Sequence, residues 1–242
     1  MKILQLNVWT GRIKGALIDF FKTHDFDVVC LQEAVWAGGD ERLRNFFATV
    51  DQIKEVNGLE HEVRSSNWGM NIFSDNDVME QGNVILSRYK IVKERTELVY
   101  GEYGLANKMK DFYDHAYTLQ IAELENGVTI VNHHGYWQPT PVGNETTVEV
   151  MREVAKKVRE IKGPVIMCGD LNIIHEAPAM REIDFLRDLT EENNIKNTLS
   201  GLKFNGEVAC DHILVNDLIE VQHFEVLDDL ISDHKALAID IK

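Results

Sequence analysis

Residues 165–172 read VIMCGDLN, an apolar run that is followed by polar residues. The first four residues are apolar in succession, which is typical of a strand whose two sheet faces are both covered. Gly163-Pro164 precedes them and ends a helical pattern. Asp170 and Asn172 follow, so a buried strand is predicted to end in an acid and an amide. Polar groups at such strand ends are typical of sites in α/β folds.

The remainder of the chain divides into strand-length and helix-length apolar patterns. Strands are predicted at residues 2–7, 26–31, 82–86, 91–99, 116–124, 128–132, 208–215, 221–226 and 236–241. Helices are predicted at residues 13–21, 42–53, 145–161 and 180–189.

Connections between these patterns predict which strands pair. Asn126-Gly127 is a strong turn signal, so the strands on either side of it are predicted to form a hairpin. The strands at 82–86 and 91–99 are predicted to be adjacent, and residues 57–66 to be irregular. Strands outnumber helices, and hairpins are mixed with strand–helix–strand units. We therefore expect a two-layer β core with helices on its outer faces. No linker or repeat divides the chain, so residues 1–242 are predicted to form one domain.

Composition limits the classes of function. The chain has 242 residues, with 25 Lys plus Arg against 40 Asp plus Glu, so its net charge is −15. Such a chain lacks the basic face on which general duplex binding depends, although a divalent cation can reverse the field locally. No apolar run reaches the ~20 residues needed to cross a bilayer, and no signal-peptide pattern is expected. Three cysteines in apolar runs predict buried reduced thiols and a cytoplasmic protein.

Polar residues gather at the ends of the apolar strands. They are Asn7, Gln32-Glu33, Asn132-His133-His134, Asp170, Asn172, Asp211-His212 and Asp233-His234. Each of them alone is more often a turn former or a solvated group than a ligand. Their recurrence at successive strand ends is what predicts a site.

The chemistry of these residues favours a divalent cation. Glu33 and Asp233 are hard oxygen donors, and Asn7 adds a neutral carbonyl oxygen. Mg²⁺ favours one or two carboxylates, with waters and substrate phosphate completing its octahedron. Zinc is disfavoured because no His/Cys pair has the usual ligand spacing. The sequence therefore predicts Mg²⁺, with Mn²⁺ as the alternative.

The order of the motifs resembles a known family. LQLN-VW, LQE, GNVILSR, VNHHG, GDLN, CDHILV and SDH follow one another as in the endonuclease/exonuclease/phosphatase superfamily of metal-dependent phosphohydrolases. That superfamily includes deoxyribonucleases, abasic-site endonucleases, neutral sphingomyelinases, deadenylases and inositol-polyphosphate 5-phosphatases. The resemblance extends from residue 3 to residue 241, and GDLN with the terminal SDH is its most specific part. It implies a four-layer α/β sandwich, in which two packed, mostly antiparallel β-sheets are flanked by helices.

The resemblance also implies roles for individual residues. Asn7 and Glu33 would hold the metal ion, with Asp233 as a further ligand. Asp170 would orient or deprotonate the attacking water, and Asn172 would bind a phosphate oxygen.

The histidines take further roles under the same resemblance. His234 would contact the scissile phosphate, and Asp211 would hold a catalytic histidine in its tautomer. His134 matches the family's second phosphate-binding histidine. His133 stands where the family usually has a small hydroxyl residue, so the sequence leaves open which of the two faces the site. His212 lies where the family often has an aromatic residue, and a structural role is expected for it.

Three of the four tryptophans, Trp9, Trp36 and Trp137, come just after these motifs. Their rings are predicted to line the pocket and to stack on unpaired bases, with capping of the core as the alternative. The predicted function is Mg²⁺-dependent, nuclease-like hydrolysis of phosphodiesters, including single-stranded or end-accessible nucleic acid. The alternatives are a phosphomonoesterase, a sphingomyelinase-like headgroup hydrolase and, in another class, an inactive phosphate-binding module. The sequence indicates no protein partner and does not identify the substrate.

Overall fold

The computed structural model describes residues 1–37, 42–73, 77–108, 112–203 and 206–242. Within these ranges two six-stranded sheets pack face to face, with helices on their outer sides. The strands are β1 (Lys2–Asn7), β2 (Val28–Ala37), β3 (His61–Asn71), β4 (Val78–Ser87), β5 (Ile91–Tyr100), β6 (Tyr117–Leu124), β7 (Thr129–His133), β8 (Val165–Asp170), β9 (Arg187–Asp188), β10 (Asp211–Val215), β11 (Val221–Leu227) and β12 (Ala236–Ile241). The helices are α1 (Lys14–Thr23), α2 (Leu43–Phe46), α3 (Val50–Asn57), α4 (Glu145–Val158) and α5 (Leu189–Glu192), with 3₁₀ turns at Trp9–Gly11, Phe112–Asp114 and Pro178–Ile183. The predicted α/β sandwich is confirmed.

Each sheet contains one parallel pair of strands among antiparallel pairs. In the first sheet, with order β11-β12-β1-β2-β4-β3, the parallel pair is β1 and β2. In the second sheet, with order β5-β6-β7-β8-β10-β9, it is β7 and β8. The other pairs are antiparallel, so the prediction of mostly antiparallel sheets is also confirmed.

Three apolar layers hold the sandwich together. The central layer joins the two sheets and includes Ile3 from the first and Ile130 from the second. Phe20 of α1 and Ile53 of α3 belong to the layer on the outer face of the first sheet. Met151 of α4 belongs to the layer on the outer face of the second. Fully burying one such side chain stabilises the fold by about 1.5–3 kcal/mol. The three cysteines are buried and free, as predicted.

The two best-capped helices begin where the sequence supplies capping groups. The Asn144 side chain accepts a hydrogen bond from the backbone N–H of Thr147 at α4, and the Thr147 hydroxyl accepts one from the backbone N–H of Asn144. Thr49 and Gln52 form the same reciprocal pair at α3, which ends at Gly58 with a φ of 69°. No helix in the described ranges is long and apolar enough to cross a membrane.

Two local predictions in the first half of the chain were wrong. Residues 57–66, predicted to be irregular, contain the beginning of β3. Ser65 and Asn67 of β3 are buried, and each forms a hydrogen bond with the hydroxyl of Thr118. Their polar side chains therefore have a partner inside the protein and do not face solvent. The strands predicted at 82–86 and 91–99 are not neighbours, because β4 and β5 lie in different sheets. The short connection between them crosses from one layer to the other instead of turning back.

The helix predicted at 180–189 was also wrong. The chain there forms a 3₁₀ turn opened by Pro178 and then the two-residue strand β9. Met180 and Ile183 point into the layer under α4, which gives the helix-like apolar spacing without a continuous α-helix.

Candidate active site

The polar strand ends meet at one end of the sandwich. Asn7 ends β1 and Asp170 ends β8, and Nδ2 of Asn7 donates to Oδ2 of Asp170 at 2.9 Å. Asp211 begins β10 and is the register partner of Asp170. His234 lies just before β12, with its Nδ1 2.8 Å from Oδ2 of Asp211. The structure thus brings together residues from both sheets, as their positions at strand ends predicted.

Two glycines allow the segments after β7 and β8 to touch. A Cβ on Gly169 would lie 2.1 Å from the carbonyl oxygen of His133, and one on Gly135 would lie 2.2 Å from that of Leu171. Neither position leaves room for a side chain. The N–H of Gly135 also donates to the carbonyl oxygen of Asp170 at 2.8 Å. This close approach explains the glycines of GDLN and NHHG.

Glu33 lies on a bulge within β2, not at the end of a strand as the sequence predicted. The strand continues to Ala37, and its pairing with β4 shifts register between Leu31 and Ala34. Glu33 has a φ of 52°, which strains a non-glycine backbone and is most common at functional sites. Such a bulge redirects the side chain. The Glu33 carboxylate faces Asn7, whose Nδ2 is 3.1 Å from its Oε1.

Asp170 lies at the centre of the cluster. Its Oδ1 accepts from the N–H of Asn172 at 2.9 Å, and its Oδ2 accepts from Asn7. The Nε2 atoms of His134 and His234 are each 3.6 Å from Oδ2. Burial acts to raise the pKa of Asp170, but the two histidines and the hydrogen bonds lower it below its usual value. Asp170 is therefore an ionised carboxylate that two imidazoles face.

Asp211 is held by two donors and in turn holds His234. Oγ1 of Thr198 donates to Oδ2 of Asp211 at 2.6 Å, and Nε2 of Gln5 donates to its Oδ1 at 3.0 Å. Burial acts to lower the pKa of His234, but Asp211 and Asp170 raise it well above its ordinary value. His234 is therefore cationic at neutral pH. Its Nδ1–H is donated to Asp211, and its Nε2–H faces Asp170.

The structure settles which of the two adjacent histidines faces the site. Nε2 of His134 points at Asp170. His133 is fully buried, with Nδ1 3.0 Å from the carbonyl oxygen of Thr118. Burial lowers the pKa of His133 to about 4, so its ring is neutral. His134 is the histidine that can meet a substrate.

Glu33 and Asp233 are the carboxylates that could hold a divalent cation at this site. Burial raises the pKa of Asp233 and the charge of Glu33 adds to this, against the opposing effect of His234. The nearest lysine, Lys203, has Nζ 3.7 Å from Oδ2 of Asp233, and its side chain is 63% exposed. Nε2 of His234 is 3.9 Å from Oδ1 of Asp233 on the other side. Two carboxylates in the same site are the kind of ligands that a hard cation such as Mg²⁺ prefers. The Asn7 amide donates Nδ2–H to Glu33 and Asp170, and its Oδ1 accepts from the N–H of Trp9, so the amide must rotate to offer Oδ1 to a cation.

A second group of donor atoms lies close by but is better explained without a metal. Donor atoms of Asp170, Cys210, Asp211 and His234 lie within 4.8 Å of one another. Burial raises the pKa of the Cys210 thiol, and the two aspartates raise it further. This raised pKa disfavours the thiolate form, which is the form that binds metals. Asp211 and His234 already bond to each other, so the group is a hydrogen-bonded network.

His212 has the surroundings of a structural residue, as expected. Its Nδ1 is 2.8 Å from Oδ2 of Asp188, and its Nε2 is 2.8 Å from the carbonyl oxygen of Ile173. Because both partners accept, both ring nitrogens must donate and the ring is cationic. Burial acts to lower the pKa of His212, but Asp188 raises it above its ordinary value. The ring is fully buried, and its two hydrogen bonds go to Asp188 and Ile173 and not to the groups around Asp170.

Two of the three tryptophans lie near the site. Trp137 is 41% exposed and borders a cavity beside Asn172 and His234. It stacks on Tyr113, with ring centroids 4.9 Å apart and planes inclined by 9°. Trp9 lies two residues after Asn7, and Nζ of Lys203 is 5.9 Å from the centroid of its ring.

Trp36 lies on the outer face of the first sheet. It packs against the apolar layer under α1 and α3, and Cζ of Arg64 is 5.7 Å from its ring. Arg64 bonds in turn to Asp51 of α3. Trp36 therefore caps the core, which was the alternative expectation, and the structure does not place it next to Asp170.

A chain of buried amides beneath the site was not predicted from the sequence. Its members, which we name the amide chain, are Gln5, Gln32, Asn132, Gln120 and Asn83. Hydrogen bonds of 2.9, 2.7 and 3.0 Å link the first four in succession between the two sheets. The available signal was a polar residue inside an otherwise apolar strand.

Thr198 and His115 were also missed. Thr198 lies in a tract without strand periodicity, and the tertiary structure brings its hydroxyl next to Asp211. His115 precedes β6, is 8% exposed and stacks on Tyr117 at 4.4 Å. Burial lowers the pKa of His115 to about 4. His134 on the side of the site also lowers this pKa and Glu33 raises it, both by less than burial does. Neither residue stands in a motif, so no sequence signal identified them.

Comparison with known proteins assigns the chain to a family. The profile of the Endonuclease/Exonuclease/phosphatase family matches residues 4–234. The chain therefore belongs to this family, whose members are phosphoric ester hydrolases, and the resemblance carried by LQE, GDLN and SDH is confirmed. No curated protein matches the chain at a significant level.

Solved structures share the fold over the whole chain. The human Nocturnin catalytic domain with bound sulfate is 15% identical, with a TM-score of 0.71 over 100% of this chain and 93% of that one. The mannosyl-6-phosphatase Bt3783 of Bacteroides thetaiotaomicron is 15% identical, with a TM-score of 0.69 over 100% and 99%. An endonuclease/exonuclease/phosphatase from Beutenbergia cavernae is 17% identical, with a TM-score of 0.68 over 100% and 71%. At these identities the likeness shows the fold alone.

Proposed function

We propose that the protein is a Mg²⁺-dependent, nuclease-like phosphodiesterase. One arrangement carries the proposal: the Asp170 carboxylate has the Nε2 atoms of His134 and His234 at 3.6 Å, with Glu33 and Asp233 alongside. Phosphoester hydrolysis needs an acid to handle water, donors for the phosphoryl oxygens and a cation site. These three kinds of group lie together here.

Asp170 is the group that handles the attacking water. It is ionised, and Asn7 and Asn172 fix both of its oxygens. The water's oxygen forms a bond to phosphorus while the bond from phosphorus to the leaving oxygen breaks in line. Asp170 orients this water and accepts its proton, and the leaving oxygen takes up a proton from solvent water and departs as an alcohol.

The histidines and Asn172 bind the phosphoryl oxygens. The Nε2–H of His234 donates to a nonbridging oxygen, and the charge that Asp211 stabilises on the ring offsets the charge of the transition state. His134 supplies a second donor. Nδ2 of Asn172 uses one hydrogen on the carbonyl oxygen of Gly135 at 2.9 Å, which leaves its other hydrogen for the phosphate.

Glu33, Asp233 and Asn7 would hold the Mg²⁺. A divalent ion bound there supplies Lewis-acid polarisation of a phosphoryl oxygen.

The proposed substrates are phosphodiesters with unpaired bases, or small phosphodiesters. A net charge of −15 gives no long-range attraction for a duplex backbone. The stacked rings of Tyr113 and Trp137 offer an exposed aromatic face near Asn172. Stacking of a base on such a face contributes about 1–3 kcal/mol and requires the base to be unpaired.

A substrate panel tests this proposal. Single-stranded DNA, duplex DNA, RNA, sphingomyelin, inositol phosphates and a phosphomonoester would be assayed with Mg²⁺ and with EDTA. We expect cleavage of single strands or small diesters that exceeds cleavage of duplex and is abolished by EDTA. Preference for sphingomyelin or for the monoester would reassign the substrate class. Absence of hydrolysis with either Mg²⁺ or Mn²⁺ would contradict the proposal and favour a phosphate-binding module.

A further inference from the structure

A cavity of about 180 Å³ opens beside the groups proposed to contact phosphate. Asn172 and His234 form its polar side, next to Asp233. The rest of the wall is mostly apolar, with Gln138 and Lys203 as its polar members. The apolar members are Pro139, Pro141, Leu199, Val208, Cys210 and the ring of Trp137. A larger cavity of about 410 Å³ lies at the other end of β7, around Thr129, and does not border these groups.

Backbone pairing holds the apolar wall in place. The N–H of Thr198 donates to the carbonyl oxygen of Val208 at 2.9 Å, so the segments that carry Leu199 and Val208 run side by side. Leu199 also forms an isolated antiparallel bridge with His234. The wall is therefore fixed relative to the histidine that would contact the phosphate. A group that is attached to that phosphate and enters the cavity would lie against this wall.

We propose that this cavity is a subsite for one uncharged ring attached to the phosphate through its ester oxygen. Apolar cavities of about 150 Å³ accept a single benzene ring, so this volume holds one ring and not two. Of the charged groups that border it, Asp233 and His234 serve the metal and the phosphate, and Lys203 disfavours a cationic headgroup. The inference rests on the proposed function and narrows its substrates to esters that carry one uncharged ring next to phosphorus.

Binding of non-hydrolysable phosphonates tests the subsite. Methylphosphonate, phenylphosphonate and 2-aminoethylphosphonate would be titrated into the protein with Mg²⁺ by calorimetry. We expect phenylphosphonate to bind about ten- to a hundredfold more tightly than methylphosphonate, because a buried ring adds apolar contact. We expect 2-aminoethylphosphonate to bind no more tightly than methylphosphonate.

Variants of the wall locate the effect. Val208→Ser and Leu199→Ser should each reduce the phenyl-to-methyl affinity ratio by about threefold or more, since less apolar area meets the ring. Leu218→Ser, at a leucine that is 62% exposed outside the cavity, should leave the ratio unchanged. Melting temperatures would verify that each variant is folded.

The outcomes separate this inference from the function on which it rests. Equal affinities for the methyl and phenyl compounds, or a ratio that neither wall variant changes, would overturn the subsite while Mg²⁺-dependent hydrolysis stands. Tightest binding of 2-aminoethylphosphonate would also overturn it, in favour of a cationic headgroup. Failure of all three compounds to bind, together with absence of hydrolysis, would overturn both.

Discussion

Nδ2 of Asn7, on the last residue of β1, lies 2.9 Å from Oδ2 of Asp170, on the last residue of β8. The two residues are 163 positions apart and belong to different sheets. This hydrogen bond joins the side that would hold the cation to the side that would handle the water. The spacing between the two sides depends on how the sheets pack.

Replacement of Glu33 by Gln tests the metal site. The substitution keeps the shape of the side chain but removes its charge, so it weakens the affinity for a hard cation. We expect a higher Mg²⁺ concentration for half-maximal turnover and a fall in kcat by orders of magnitude, measured by Mg²⁺ titration of diester hydrolysis. Glu123→Gln, at an exposed acid of β6, is the matched control. An unchanged Mg²⁺ requirement in Glu33→Gln would remove Glu33 from the ligand set.

Thr198 tests the role of Asp211 in positioning His234. Thr198→Val keeps the size of the side chain but removes the 2.6 Å hydrogen bond to the Asp211 carboxylate. A hydrogen bond to a charged group contributes about 1.5–3 kcal/mol, so kcat should fall about ten- to a hundredfold with little change in KM. Thr198→Ser restores the hydroxyl and should recover most of the rate. Equal rates in the Val and Ser variants would show that this bond does not affect catalysis.

Trp137 tests recognition of unpaired bases. Trp137→Ala removes the ring that stacks on Tyr113, so KM for single-stranded oligonucleotides should rise about five- to a hundredfold while the Mg²⁺ requirement stays the same. Trp36→Ala is the control, since Trp36 packs against the core and should affect the melting temperature rather than KM. A lack of effect on KM in Trp137→Ala, or a preference for duplex with a steep salt dependence, would refute base stacking.

The buried pair of His212 and Asp188 predicts a pH-dependent stability. The folded-state pKa of His212 is raised above its unfolded value near 6.5, so its contribution is complete below about pH 6.5 and is lost as pH rises through the folded-state pKa. Asp188 acts in the opposite sense. Its pKa is lowered by His212 and His175 against the effect of burial, so its contribution is present above about pH 3.8 and is lost as pH falls.

His212→Gln measures this contribution. The variant keeps a donor toward Asp188 but has no charge, and it should unfold more easily by on the order of 3 kcal/mol at pH 6. The difference from the unchanged protein should shrink as pH rises above 6.5, as measured by urea unfolding at several pH values. A difference that stays constant from pH 5 to pH 9 would mean that the pKa of His212 does not change on folding, which would contradict the assignment.

Much of the fold could be predicted from local patterns. The strand predicted at 236–241 matches β12 at both ends, and the Asn-Gly turn correctly predicted the pairing of β6 and β7. The sequence failed where the decisive contact is distant. β3 contains Ser65 and Asn67, whose hydrogen-bond partner Thr118 lies on β6, so its polar residues resemble those of a loop.

The same difference between local patterns and distant contacts explains which residues of the candidate site could be inferred from the sequence. Asp170 and His234 stand in short motifs at strand ends, so their convergence could be inferred from topology. Thr198 could not be found in this way, because its bond to Asp211 crosses between segments with no shared pattern. The position of Glu33 on a bulge could not be predicted either, since only the register of β2 against β4 reveals it.

Hydrolysis of bis(p-nitrophenyl) phosphate by the unchanged protein and by Asp170→Asn tests the central claim most directly. Asp170→Asn keeps the volume of the side chain but removes the charge that faces His134 and His234. The account predicts turnover that EDTA abolishes and Mg²⁺ restores, and a loss of about 10³-fold or more in the variant at a near-native melting temperature. Full Mg²⁺-dependent turnover by a folded Asp170→Asn variant would contradict it.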